Sequence, residues 1–240
     1  MKNLKMISIS LCILLLLAGC AYPQEKMSKN LVPYREQIQS VQTAVNQFQK
    51  DEDGILPIKT KPGDTPIYQK YIIDFTRISP KYIAEPPGNS FESGGVFQYV
   101  LVDPEHHPTV KLFDVRLADA IQSLSMRLNS YRQDHGYPPF KERLSADVFT
   151  LDYKKLGLKE APAVMSPYSK KELPLVINSD GDIFADYTPD LYDFLQKYKK
   201  TFKNGEDIRR ILVEHSEFVP AYSLPYTIDP KTNKPIFLTK

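Results

Sequence analysis

The sequence predicts an α+β protein of two tandem, duplicated modules, each an amphipathic helix followed by a small antiparallel sheet, plus a C-terminal helix and hairpin element. Three observations carry that expectation. Two apolar stripes recur at helical spacing, and each is stopped by Asp and Gly. The same aromatic-x-hydrophobic-Asp-aromatic string follows each stripe. A strand-like run then closes each unit, the second around a strong hairpin signal.

In the first module, Ile38, Val41, Val45 and Phe48 fall three or four residues apart among Gln, Asn and Thr, which predicts a helix. Asp51, Asp53 and Gly54 end it, and Ile55-Leu56-Pro57 begins an extended segment. In the second module Leu117, Ile121, Leu124, Leu128 and Tyr131 form one stripe, with Asp114 as the expected N-cap. Asp134-His135-Gly136 closes that helix ahead of Tyr137-Pro138-Pro139.

Beyond the helices, Tyr71-Ile72-Ile73-Asp74-Phe75 parallels Phe149-Thr150-Leu151-Asp152-Tyr153. An aliphatic residue (Ile78, Leu156) and then a proline (Pro86, Pro162) follow in each unit. Val96–Val102 ends the first unit and Leu173–Tyr187 the second, the latter holding Ser179-Asp180-Gly181-Asp182 between alternating hydrophobics. The expected division is a module over residues 34–110, another over 111–188, and a C-terminal element over 189–240. A repeat of this length is too long for a solenoid of short units.

The C-terminal element reads as a helix over Asp190–Tyr198, a break at Asn204-Gly205 and a short helix within Glu206–His215 with Ile208, Ile211 and Leu212 inward. Lys197, Lys199 and Lys200 suit the C-terminal end of the first of these helices. Pro220–Leu238 reads as two strands around Asp229–Lys234.

The 240 residues are 42% hydrophobic and 25% charged, which excludes collagen-like, coiled-coil and wholly disordered chains. With Lys2 and Lys5 removed in a cleaved leader, 29 bases face 29 acids, so the charge gives no nucleic-acid footprint.

That leader is residues 1–19, where a basic start at Lys2 and Lys5 precedes the apolar run Met6–Leu17 and the small residues Ala18 and Gly19. The run is well short of the roughly 20 residues a membrane-spanning helix needs. Leu17-Ala18-Gly19-Cys20 resembles the lipobox of bacterial lipoproteins. The resemblance implies a diacylglycerol on the Cys20 thiol, cleavage before Cys20 by lipoprotein signal peptidase, and acylation of the new amino group. Two or more acyl chains anchor durably, each buried CH2 adding about 0.8 kcal/mol. Cys12 leaves with the leader and Cys20 is capped, so no disulfide, thiolate metal site or cysteine nucleophile is expected. Residues 20–33 read as the lipidated tether, whose 13 residues after Cys20 reach at most about 40 Å.

Tyr131-Arg132-Gln133-Asp134-His135-Gly136-Tyr137-Pro138 resembles the string that ends the long helix of type II secretion pseudopilins before their small antiparallel sheet. The likeness implies fold alone, since a lipobox stands where those proteins carry a methylation signal and hydrophobic spine. The lipobox start, the segment YRQDHGYPPF and the segment SPYSKKELPLVINSDGDIFADY are similar to the YphF-type lipoproteins of spore-forming bacilli. That resemblance implies a Gram-positive membrane address and brings no activity with it.

No catalytic or cofactor residue set emerges. Asn178, Asp180, Asp182 and Asp186 take positions one, three, five and nine of a calcium loop, but Ile183 and Pro189 occupy positions six and twelve, where Gly and Glu are needed. A hairpin turn explains the same residues. His106, His107, His135 and His215 lack metal-site spacing, and His135 suits a helix terminus. The chain has no GxSxG, no SxxK and no phosphate loop, and pairs such as Asp51/Asp53 and Asp180/Asp182 are expected among 29 acids. Tyr beside Pro recurs (Tyr22-Pro23, Pro33-Tyr34, Tyr137-Pro138, Pro167-Tyr168, Pro225-Tyr226), serving either rigid turns or a partner surface.

The expected function is a non-enzymatic binding or assembly module of the cell envelope, held through lipid at Cys20 on the extracytoplasmic face, with an envelope protein or wall polymer as partner and no cofactor, metal or nucleic acid. A wall-modifying hydrolase with dispersed carboxylates is the alternative. A solute-binding lipoprotein fits less well, because the 221 residues after the leader lack regular strand–helix alternation.

Overall fold

Helix α1 (Tyr34–Asp51) starts the chain's described part, a computed structural model covering residues 34–238. The leader, Cys20 and the tether lie outside those residues. The α1 stripe buries Val41, Ala44, Val45 and Phe48. Gly54, at φ +91°, lets the chain turn off the helix end, its N–H donating to the Gln49 carbonyl at 2.8 Å. Two one-turn helices follow, α2 (Ile67–Lys70) and α3 (Phe75–Ile78). Next come strands β1 (Phe97–Val102) and β2 (Thr109–Asp114), paired antiparallel over their whole length. The 110/111 division drawn from the sequence therefore falls inside β2.

Helix α4 (Arg116–His135) ends at Gly136, φ +82°, as its Asp-His-Gly terminus predicts. Its N-cap differs from expectation. Val115 takes the cap position, while Asp114, one residue earlier at the end of β2, accepts the Arg116 N–H at 3.0 Å and pairs with the Arg116 guanidinium. Pairing of Asp114 with Phe97 keeps it in the strand, so its carboxylate serves the first turn from outside the helix.

After α4 come β3 (Phe140–Ser145), β4 (Val148–Leu151), β5 (Ala163–Met165), β6 (Glu172–Asn178) and β7 (Ile183–Ala185). They form one antiparallel sheet in the order β3-β4-β6-β5, with β7 also on β6. Helices α5 (Thr188–Tyr198) and α6 (Arg210–Glu214) lead to the hairpin β8 (Tyr226–Ile228) and β9 (Pro235–Phe237). Helices and small antiparallel sheets make the fold α+β, as expected.

The two units reuse local geometry. The Asp74 N–H donates to the Pro57 carbonyl at 2.8 Å, and the Asp152 N–H donates to the Pro139 carbonyl at 2.7 Å. Each acceptor proline stands three residues past its helix-ending glycine. The following residues, Ile58 and Phe140, donate back two positions to Leu56 and Pro138. Ser90 and Ser166 stand 76 residues apart and are both fully buried. Gly94 and Lys170 share that spacing and both hold positive φ, +82° and +60°.

Burial divides differently from the sequence division. One core joins α1, α3, β1 and β2, but Phe218 from the C-terminal segment completes it. A second joins α4, the five-stranded sheet, α5, α6 and β8, so the expected C-terminal element shares the core of the second module. A small cluster of Ile72, Val100, Phe113, Val213, Val219 and Ala221 bridges them. The seam is also hydrogen-bonded: the Leu112 N–H donates to the Glu217 carbonyl and the Val219 N–H to the Leu112 carbonyl, both at 2.9 Å. Arg35–Lys240 accordingly forms one compact unit.

Candidate functional site

Helix α4 is amphipathic in two directions. Leu117, Leu124 and Leu128 enter the core. On its flank Ile121, Ser125, Asn129 and Arg132, three or four residues apart, line a cleft of about 470 Å³. The β6–β7 turn and the start of β7, Asp180–Phe184, make the facing wall, and Pro66 and Gln69 at α2 with Tyr222 and Ser223 close the end. Two segments singled out in the sequence thus meet here: the α4 terminus through Arg132, and the Asn-Ser-Asp-Gly-Asp turn.

The turn is fixed internally. The Asp182 N–H donates to Asn178 Oδ1 at 2.7 Å, the Asn178 N–H returns to the Asp182 carbonyl at 3.0 Å, and Ser179 binds Asp147. Gly181 sits at φ +97°, and a Cβ there would come within 2.6 Å of Arg132 Nη1, so glycine is what admits the guanidinium against the turn. Arg132 Nη1 donates to the Asp180 carbonyl at 3.5 Å. At the closed end Gln69 Oε1 accepts the Tyr222 N–H at 3.3 Å. Tyr222 holds φ +54°, an uncommon conformation for an aromatic residue, and its ring stands edge-on to Phe113. Burial raises its hydroxyl pKa, with Gln69 opposing.

The calcium-like spacing does not assemble. Asp186 turns toward α5, accepting the Thr188 N–H at 2.9 Å and the Tyr226 hydroxyl at 3.0 Å, while Asn178 and Asp182 hold the turn. No group of three or more His, Cys, Asp or Glu among the described residues could hold a metal ion. His106 Nδ1 lies 2.9 Å from Asp103, whose carboxylate raises the imidazole pKa. His135 Nδ1 lies 3.0 Å from the Tyr131 carbonyl one helical turn back, its ring stacked on Tyr131 at 3.9 Å. His215 stacks on Tyr198 at 3.6 Å. Of the Tyr-Pro residues, Tyr226 is fully buried and Tyr137 is 60% exposed.

Two other places hold chemistry the sequence reading missed. A smaller, mostly apolar groove of about 260 Å³ runs between β2, the start of α4 and the β5 edge, and its one lining carboxylate, Asp114, is tied to Arg116. Behind it lies a buried polar knot. Asp190, on the first turn of α5, is fully buried, and its Oδ2 accepts the Ser166 hydroxyl at 2.7 Å. Ser166 Oγ in turn accepts the N–H groups of Tyr168 and Ser169. Burial raises the Asp190 pKa, and the Ser169 and Ser166 hydroxyls work against it. Asp190 Oδ1 and the Tyr168 hydroxyl have no partner among the described residues. Burial likewise pushes the Tyr168 and Tyr187 hydroxyls up, and holds them neutral. No short motif marks this knot, because its members come from two elements 24 residues apart.

Among the described residues no helix is long and apolar enough to cross a membrane. Comparison with curated proteins and with solved structures gives no match. Comparison with protein families gives a match over the span from α1 to the end of β2, where residues 34–114 match the YphF family N-terminal domain.

Proposed function

We propose that the chain is a membrane-anchored lipoprotein of the extracytoplasmic face, and that its folded body is a non-enzymatic binding or assembly module of the cell envelope. The observation that carries the reading is Leu17-Ala18-Gly19-Cys20 behind a basic and apolar leader. The start of α1 at Tyr34 fits it, leaving residues 21–33 as tether between lipid and body. The YphF family domain, which begins where that tether ends, agrees with the whole-chain resemblance to YphF-type lipoproteins. The modules at 34–114 and from 115 onward are best read as a duplication, on the strength of the paired Asp-to-Pro hydrogen bonds and the paired buried serines. The binding surface is the cleft beside α4, where hydrogen-bonding side chains, a guanidinium, two Asp residues of the turn and an apolar wall together suit a partner.

Radiolabelled palmitate and membrane fractionation test the anchor. The wild-type chain is expected to carry label and sediment with membranes, and Cys20→Ser to lose both. A Cys20→Ser product that stays in the bilayer with its first nineteen residues intact, or an unlabelled wild-type chain, overturns the reading.

A further inference from the structure

Resting on the reading of the body as a binding module, we infer that the cleft beside α4 takes a short peptide with a free carboxylate and a free amine: the carboxylate on the Arg132 guanidinium, the ammonium toward the Asp180–Asp182 turn. Arg132 stands beside the turn and is uncommitted. With no Cβ at Gly181, the turn leaves room for the guanidinium to lie beside it. Its one side-chain hydrogen bond among the described residues is the 3.5 Å contact to the Asp180 carbonyl. Arg116 and Arg209, by contrast, each grip their own Asp with both Nε and Nη2. A guanidinium so presented offers a planar fork that matches a carboxylate.

Charge then selects among envelope ligands. One guanidinium and two Asp residues line the cleft, so a polyanion meets net repulsion while a zwitterion finds a counter-charge for each end. Ser125 and Asn129 precede Arg132 along the same helix face and offer donors and acceptors for peptide amides. Ile183 and Phe184 give small side chains an apolar wall. A volume of about 470 Å³ admits a di- or tripeptide.

Calorimetric titration of the full-length chain in detergent tests this, with alanyl-alanine, its C-terminal amide, its N-acetyl form, glycerol phosphate and a neutral disaccharide as probes. Alanyl-alanine is expected to bind, and each blocked form to bind at least about tenfold more weakly, as loss of a charged hydrogen bond implies. Arg132→Ala abolishes binding and Arg132→Lys weakens it, both with melting temperature unchanged. Equal binding of the amide and the acid, undiminished binding by Arg132→Ala, no binding of alanyl-alanine, or preference for glycerol phosphate or the disaccharide overturns the assignment. A palmitate-labelled chain that fails the titration loses the ligand and keeps the anchor. A chain that binds the dipeptide without label loses the anchor and keeps the ligand.

Discussion

The first unit, residues 34–114, and the second, from 115 onward, share a corner and differ in how they close. Both turn off a helix at glycine and hang an Asp N–H on the proline carbonyl three residues later. The second then builds a five-stranded sheet with a core of its own, whereas the first makes two strands and borrows Phe218. Similar local sequence has thus bought independence in one case and dependence in the other. Helix stops and corners are set by a few neighbouring residues. Closure is set by how much apolar surface the rest of the chain supplies.

Phe218→Ala breaks the comparison hardest. Its ring packs at 5.7 Å from Phe97 in the first core and 6.4 Å from Tyr168, which lies against both cores. Losing it costs about 3 to 5 kcal/mol. Urea unfolding is expected to shift as one transition, with amide exchange accelerating in α1 and β1. Unchanged protection of those amides means the first unit stands alone.

Two left-handed glycines come next. Gly94→Ala meets no atom within 4 Å and bears only the left-handed backbone cost, about 1 to 2 kcal/mol. Gly181→Ala bears the same backbone cost and swings the flexible Arg132 guanidinium aside, so its chemical-denaturation loss is expected to match that of Gly94→Ala while any cleft ligand binds more weakly.

The matched serines give a third test. Ser90 Oγ reaches only Ser93 Oγ, at 3.4 Å, whereas Ser166 Oγ binds buried Asp190. Burial raises the Asp190 pKa in the folded state, so its stabilising contribution is complete below the unfolded value near about 3.9 and is lost as pH rises through the folded value. Asp190→Asn removes that loss. Its stability relative to wild type is expected to increase from pH 4 to pH 7, measured by urea melts; a difference that falls over that range refutes the assignment. Lys170→Gly, the smallest effect, relieves φ +60° and raises stability by about 0.5 kcal/mol.

The sequence made the helices legible because Val41, Val45, Leu124 and Leu128 repeat at helical spacing and glycine marks each end. Strand β3 was not legible. Phe140–Ser145 is polar and mostly exposed, and pairing with β4 is what makes it a strand. The cleft was half legible. The Asp180–Asp182 turn stood out, but Ser125 and Asn129 looked like ordinary solvent-side residues of α4, and Gln69 and Tyr222 lie 153 residues apart. Asp190 read as a routine acid near a helix start, since nothing in its neighbours announces Ser166.

Phe218 also sets a schedule for the newborn polypeptide. When Asp114 has just been added to the chain, the ring that seals the first core is still 104 residues from being made, and Leu112 has no Glu217 or Val219 to meet. At ordinary elongation rates that wait lasts roughly 5 to 20 s. For its duration the first unit is greasy, unsealed and cleavable, and it is finished only when Phe218 is made.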